Sequence, residues 1–261
     1  MKIGLVFSGG GSRGAYQIGV WKAMRELGLD KKVTVVTGTS IGAVNGAAFV
    51  QNEFKLMENL WNEIEFEKIF SSIKENRRVH LQLGLEIFTK LGADVMPLKE
   101  MIRDYINEDK IYDSSIGYGL VTTNLSKRKF ETLYKTDIEK GKLAEYIIAS
   151  STFPLFKTHL INKHKFIDGG IFDNLPIQPA VEHYSKPDLI ICINVSHFYS
   201  LIPTKSYAIK KLRKQINLIE LIPSVPLGSI LNFEKKRARA FMKVGYKDAI
   251  RTLSGLANST S

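Results

Sequence analysis

Three stretches of the chain carry residue types that can do chemistry together. Ser40 stands in Gly38-Thr39-Ser40-Ile41-Gly42, a G-x-S-x-G pattern. Glycines two positions to either side leave room for a sharp strand-to-helix turn, which lifts the hydroxyl over a sheet edge toward the positive end of the next helix. A helix N-cap serine would give the same letters, so the pattern alone leaves both readings open. Upstream, Gly9-Gly10-Gly11-Ser12-Arg13-Gly14 satisfies G-x-G-x-x-G. A dinucleotide site would also need a carboxylate about 20 residues on, at the end of the second strand, to hold the ribose. That strand instead ends Val35-Val36-Thr37-Gly38. Without the acid, Gly9 to Gly14 reads as a concave nest of N–H groups that could hold the oxyanion of an acyl-transfer intermediate. Arg13 either adds positive field there or locks the loop by bonding nearby carbonyls. The second fits better, because N–H donors suffice for an oxyanion hole.

A serine hydroxyl becomes a nucleophile only when something accepts its proton. Asp168, ahead of Gly169 and Gly170, is a carboxylate that could approach a reacting group closely, or one that merely closes an Asx-turn. Asp173, before Asn174 and Pro176, reads as a helix cap. Among the five histidines, His183 and His197 follow Asp168 in the order a Ser-Asp-His triad would need. His183 falls on a helix beside Glu182 and Tyr184 and His197 in a polar loop, so surface positions suit both better.

The elements around these residues alternate. Ile3–Phe7 is a short buried strand, and a helix from about Ala15 carries Tyr16, Val20, Ala23, Met24 and Leu27 at helical spacing before Gly28. Val33–Val36 is a second buried strand, and Ala43–Val50, apolar almost all round, a central helix. Strand, loop, helix, strand, turn, helix begins a parallel α/β layer, with both glycine turns at the same carboxyl edge of the sheet. Further on, the spacing predicts helices over 53–65, 97–106, 138–150 and 176–184. Strands are expected over 117–124, 129–134, 165–167 and 189–195. The apolar, charge-broken stretch 66–96, with Leu81, Leu83, Leu85, Ile87, Phe88 and Leu91, reads as a cap over a pocket or as a core helix pair.

In this order, the glycine loop, Gly38-Thr39-Ser40-Ile41-Gly42, and Asp168-Gly169-Gly170 with Asp173-Asn174-Leu175-Pro176 resemble the patatin-like phospholipase family, over about Ile3 to Val195. The resemblance implies an α/β three-layer sandwich with a central, mostly parallel sheet between helices. It also implies a Ser-Asp dyad without histidine: Ser40 as nucleophile, Asp168 as proton acceptor, and the glycine loop as oxyanion hole. No metal and no cofactor are expected, and the substrate would be a lipid ester. One stretch departs from the family's usual A-S-x-x-x-P-G-x-F-P-P: Ala149-Ser150-Ser151-Thr152-Phe153-Pro154 continues as Leu155-Phe156-Lys157-Thr158. The change is expected to fall away from the dyad and to alter loop shape. Residues 1–196 would form the acyl-hydrolase domain, and 197–261 a basic helical C-terminal extension packed on it. An acyltransferase using the same acyl-enzyme, or a non-catalytic lipid-binding module, are the alternatives.

Composition bounds these readings. With 261 residues, 44 % apolar and 24 % charged, the chain is long enough to bury a core and is neither disordered nor a many-spanning membrane protein. One cysteine, Cys192, rules out an intrachain disulfide and a cysteine-rich zinc site, and suits a cytoplasmic location. The apolar run after Lys2 stops at Ser8, too short for a signal-peptide core. Lys and Arg exceed Asp and Glu by 11, and nine of those net charges fall between Leu201 and Arg251. There 204–222 reads as a helix with Ile209, Leu212, Ile216 and Ile219 on one face, and 229–252 as another with Phe233, Phe241, Val244 and Ile250. Their bases would be solvated, or would draw the protein to anionic membranes as a peripheral contact. No nucleic-acid fold is recognisable, so no nucleic-acid partner is expected. Oligomeric state is not legible.

Overall fold

The computed structural model describes residues 1–65, 68–70, 95–154, 156–183, 186–196 and 199–258. Chain order begins β1 (Ile3–Phe7), α1 (Ala15–Glu26), β2 (Val33–Thr39), α2 (Ile41–Val50), α3 (Phe54–Asn62), α4 (Met96–Tyr105) and α5 (Glu108–Asp113). It continues β3 (Gly117–Asn124), β4 (Lys129–Tyr134), α6 (Leu143–Ser150), β5 (His159–Ile161), β6 (His164–Asp168), α7 (Ile177–Glu182) and β7 (Leu189–Ile193). The last elements are α8 (Pro203–Arg213), β8 (Leu218–Leu221) and α9 (Lys235–Asn258). The residues proposed for a cap, from Leu81 to Leu91, lie outside the described residues, as does His197.

The strands form one eight-stranded sheet in the order β5-β6-β3-β2-β1-β7-β8, with β4 also paired to β3. Its centre, β3 through β8, is parallel, and β4, β5 and β6 add an antiparallel flank. The fold is the α/β sheet between helices that the motif order implies. β1 and β7 are buried at every residue, as central strands covered on both faces must be. Below the sheet edge, Trp21 packs between Phe49 and Phe54 at ring separations of 4.9 and 5.2 Å. α9 lies along α1, burying Phe241, Ala249 and Leu253 against it, with Tyr16 donating to Asp248 at 3.2 Å. Each large apolar side chain so covered contributes about 1.5–3 kcal/mol. Among the described residues no helix is long and apolar enough to cross a membrane.

Several expectations differ from the structure; the last helix, expected over 229–252, runs Lys235–Asn258. The helix expected from Ile138 starts at Leu143, because the N–H groups of Gly141 and Ala144 donate to the Glu108 carboxylate at 2.6 and 3.0 Å, fixing its N-terminus there. The stretch 204–222 is not one helix. It breaks after Arg213, and Leu218–Leu221 extends the sheet by pairing Ile190 with Leu218 and Ile193 with Leu221. An open parallel edge at β7 outweighs the helical spacing of those isoleucines. Asp173 does not cap α7, which begins at Ile177 with no side-chain cap. It is fully buried, with Lys205 Nζ of α8 3.1 Å from its carboxylate.

Candidate active site

Strand register brings the three motifs together. Phe7, at the end of β1, pairs with Gly38, so the glycine loop and the serine turn leave the sheet side by side. Thr39 pairs with Val121, and the next residue of β3, Thr122, pairs with Asp168 at the end of β6. Asp168 thus arrives beside Ser40 from the antiparallel flank.

Ser40 adopts φ 58°, ψ −131°, a conformation an L-residue rarely takes and one that costs about 1–3 kcal/mol. The surroundings hold it there. Its N–H donates to Ser150 Oγ at 2.9 Å, and that hydroxyl donates on to the Val121 carbonyl at 2.7 Å. Its carbonyl accepts from the Ala43 N–H at 2.8 Å and from Ser151 Oγ at 3.1 Å. The flanking glycines are needed for close approach. A Cβ on Gly38 would lie 2.2 Å from the Gly42 carbonyl oxygen, and one on Gly42 would lie 2.4 Å from that of Phe7.

The Ser40 side chain lies beside the Asp168 carboxylate, close enough to favour its ionised form. Asp168 is 4 % exposed, its backbone N–H is held by the Thr152 carbonyl at 2.8 Å, and its Oδ1 accepts the Gly170 N–H at 2.7 Å. Asp168 thus closes a turn and stands next to Ser40. Burial pushes its carboxyl up to about 6, against the opposing pull of the nearby Ser40 hydroxyl and of the Gly170 N–H. Gly169 packs on β3, where a Cβ would sit 2.5 Å from the Val121 carbonyl.

The glycine loop divides its donors. The Gly9 N–H goes to the Asn174 carbonyl at 3.0 Å, that of Ser12 to the Ile230 carbonyl at 2.8 Å, and that of Arg13 to the Gly10 carbonyl at 3.2 Å. Among the described residues no acceptor meets the N–H of Gly10 or Gly11, and both glycines line the cavity in front of Ser40. Gly14 is the end of a short turn from Gly11 that leads into α1. Arg13 bonds the Gly228 carbonyl through Nε at 2.8 Å and the Val195 carbonyl through Nη1 at 3.3 Å, which ties the loop down. Ser12 Oγ does the same to Ser229 at 3.0 Å.

The cavity holds about 450 Å³ and runs from Ser40 and Asp168 along α2, past Ile41, Val44 and Ala48 to Gln51. Those positions form one helical stripe roughly 16 Å long. The facing walls are Leu60 and Trp61 of α3, Met101 and Ile102 of α4, Phe153 and Phe156, and Ile230, Leu231 and Phe233. Gln51, at the far end, is engaged with the Asn107 N–H at 2.7 Å. Trp61 is fixed by its indole N–H on Asn45 Oδ1 at 3.2 Å, and Asn45 in turn donates to the Gly14 carbonyl at 3.1 Å.

The departure from the family pattern begins after Pro154: Leu155 lies outside the described residues, Lys157 and Thr158 are exposed, and the neighbouring Phe153, Pro154 and Phe156 line the cavity. His183 follows the last residue of α7 and is exposed, in keeping with the surface position expected for it, and its ring stacks on Tyr134 with centroids 3.4 Å apart. Sequence reading missed Ser150 and Ser151, whose contribution depends on strand and helix meeting far from each other in the chain. It also missed the segment Gly228–Phe233, which clamps the glycine loop and closes one wall.

The comparisons with known proteins agree with this geometry. The chain is 28 % identical over 200 residues to patatin-like phospholipase domain-containing protein 7 of Rattus norvegicus, covering 74 % of this chain and 13 % of that protein. It is 30 % identical over 207 residues to the neuropathy target esterase sws of Drosophila melanogaster, again 74 % of this chain and 13 % of the relative. The chain thus spans about an eighth of the length of these curated relatives. Among solved structures, human GIVD cytosolic phospholipase A2 superposes with a TM-score of 0.60 at 11 % identity, over 99 % of this chain and 58 % of that one, which shows a shared fold. The patatin-like phospholipase model matches residues 5–181, and the chain belongs to that family.

Proposed function

We propose that this protein is a serine acyl hydrolase that cleaves carboxylic esters of phospholipids through a Ser40–Asp168 dyad and an acyl-serine intermediate. The observation that carries this reading is a hydroxyl beside a buried carboxylate, both on the wall of an apolar cavity, with two uncommitted backbone N–H groups on the same wall. Asp168 accepts the Ser40 proton as Oγ bonds to the ester carbonyl carbon, and the Gly10 and Gly11 N–H groups hold the oxyanion. On collapse the carbon–oxygen bond to the alcohol breaks, and Asp168 returns the proton to that oxygen. Water then gives its proton to Asp168 and its oxygen to the acyl carbon, releasing the fatty acid and restoring Ser40. A carboxyl held at about 6 is ionised near neutrality, as a general base must be, yet basic enough to take a proton. The apolar lining suits an acyl chain, and the protein would work at a membrane surface on its cytoplasmic side. Residues 1–196 carry the dyad and the glycine loop, and 197–261 complete the cavity through Ile230, Leu231 and Phe233.

The test is product analysis on phospholipid vesicles. Wild type should release fatty acid and lysophospholipid in equal amounts, and a folded Ser40→Ala variant neither. Equal turnover by that variant, or no ester cleavage by wild type, would end the proposal. Transfer of the acyl group to an added alcohol in place of water would assign the acyltransferase reaction instead.

A further inference from the structure

The positive charge near the C-terminus is not uniform. On α9, Lys235 and Arg239 pair with Glu63 at 2.9 and 3.0 Å, Arg251 pairs with Asp248 at 2.9 Å, and Arg237 donates to the Leu227 carbonyl at 2.7 Å. Lys236, Lys243 and Lys247 of α9 are exposed, and among the described residues no carboxylate pairs with them, but they are spread over twelve residues, whereas α8 gathers its free lysines into five. Ile209 and Leu212 turn inward onto the sheet. Tyr207, Lys210, Lys211 and Lys214 are all exposed, at helical spacings of three and four, and so share one outer face. Among the described residues no carboxylate comes within ion-pair distance of those three lysines, and Tyr207 is 71 % exposed.

The segment that leads into α8 lies at the cavity. Leu201, two residues before α8, lines the cavity and is 64 % exposed, and its N–H donates to the carbonyl of Ile171, another lining residue, at 3.0 Å. The first turn of α8 is fixed to the site by Lys205, which lies 3.1 Å from Asp173, next to the lining residue Asn174. From there the helix runs about 16 Å back along the sheet, from the carboxyl end of β7 toward the start of β8, with its lysines on the side away from the sheet. Apolar groups at an opening, followed by an uncompensated row of lysines, match a bilayer: acyl region at the mouth and anionic headgroups along the helix.

We propose that the outer face of α8, Tyr207 with Lys210, Lys211 and Lys214, docks the protein on an anionic bilayer with the cavity mouth turned toward the lipid. The proposal deepens the lipid-hydrolase reading and rests on it for the identity of the substrate, but the docking itself is measured without turnover. The probe is the full chain carrying Ser40→Ala, sedimented with phosphatidylcholine vesicles with and without phosphatidylserine, at low and high salt. Binding should require phosphatidylserine and weaken with salt. Changing Lys210, Lys211 and Lys214 together to Gln should lower partitioning about 100-fold, at roughly fivefold per base, and Tyr207→Ser should lower it less. Changing Lys236, Lys243 and Lys247 of α9 to Gln should have a much smaller effect. On the Ser40-bearing background, the α8 triple variant should hydrolyse a soluble short-chain ester at the wild-type rate, which shows that its fold and site are intact. Unchanged vesicle binding by that variant, equal binding to vesicles lacking phosphatidylserine, or an equal loss from the α9 triple would overturn the proposal, as would tighter binding to duplex DNA than to vesicles. A protein that docks as described but never cleaves ester would contradict the hydrolase reading and leave the docking face standing.

Discussion

The two ends of the cavity are built from different material. At the dyad end, position is set by backbone: strand registers that align Phe7 with Gly38 and Thr122 with Asp168, a strained Ser40, and glycines with carbonyls where side chains would stand. At the far end, the walls are side chains of α2, α3 and α4, with Ala48, Trp61 and Met101 packed from separate helices. A backbone-built end has one solution, because shifting it means moving the sheet. A side-chain-built end can change volume one residue at a time while the fold stands. Under the proposed hydrolase, chemistry resides at the first and acyl-chain preference at the second, so the two should separate under mutation.

The largest effect is expected at the dyad. Ser40→Ala and Asp168→Asn should each lower kcat by at least about 1,000-fold with thermal unfolding little changed, since removing a nucleophile or its base disables the whole unit. Retained activity in either, measured on one ester under saturation, would break the contrast at its strong end. Gly11→Ala comes next. A Cβ there would lie 2.2 Å from the Ile230 carbonyl, at a backbone φ of 54°. The displaced loop should lower kcat about 100- to 1,000-fold while KM moves little, the sign of a donor that acts on the transition state.

Acidity is the third lever. Burial holds Asp168 at about 6, and the group must be unprotonated to accept the serine proton. kcat/KM should therefore fall as pH drops through about 6 and level off above it. A profile that stays flat well below that pH would remove Asp168 from the role. The smallest effect belongs to the other end. Ala48→Leu fills part of the cavity midway along α2, and should reduce kcat/KM for long-chain esters about tenfold while short-chain esters suffer less. An equal loss for both chain lengths would mean that the two ends are not separable.

How much of this was legible follows from the same contrast. The dyad end depends on local backbone requirements, and those leave marks: glycines at fixed offsets around Ser40, two after Asp168, a run from Gly9 to Gly11. Strands such as Ile3–Phe7 and Gly117–Asn124 were visible as apolar or β-branched runs. What hid was whatever depends on partners distant in sequence. Leu218–Leu221 carries helical spacing, and only the free edge of β7 makes it a strand. Ser150 looks like any small residue at a helix end until it meets the Ser40 N–H from 110 residues away. The clamp of Arg13 on Gly228 and Val195 likewise has no local signature, although the preference of Arg13 for carbonyls over a reacting oxyanion was arguable from its type.

The most direct test of the central claim is covalent capture of the nucleophile. Wild-type protein treated with an alkyl fluorophosphonate should gain one adduct, located on the peptide containing Ser40. Asp168→Asn should react far more slowly, and Ser40→Ala not at all. An adduct on another residue in an active enzyme, or labelling of Ser40→Ala at the wild-type rate, would contradict the assignment of Ser40 and Asp168 as the reacting pair.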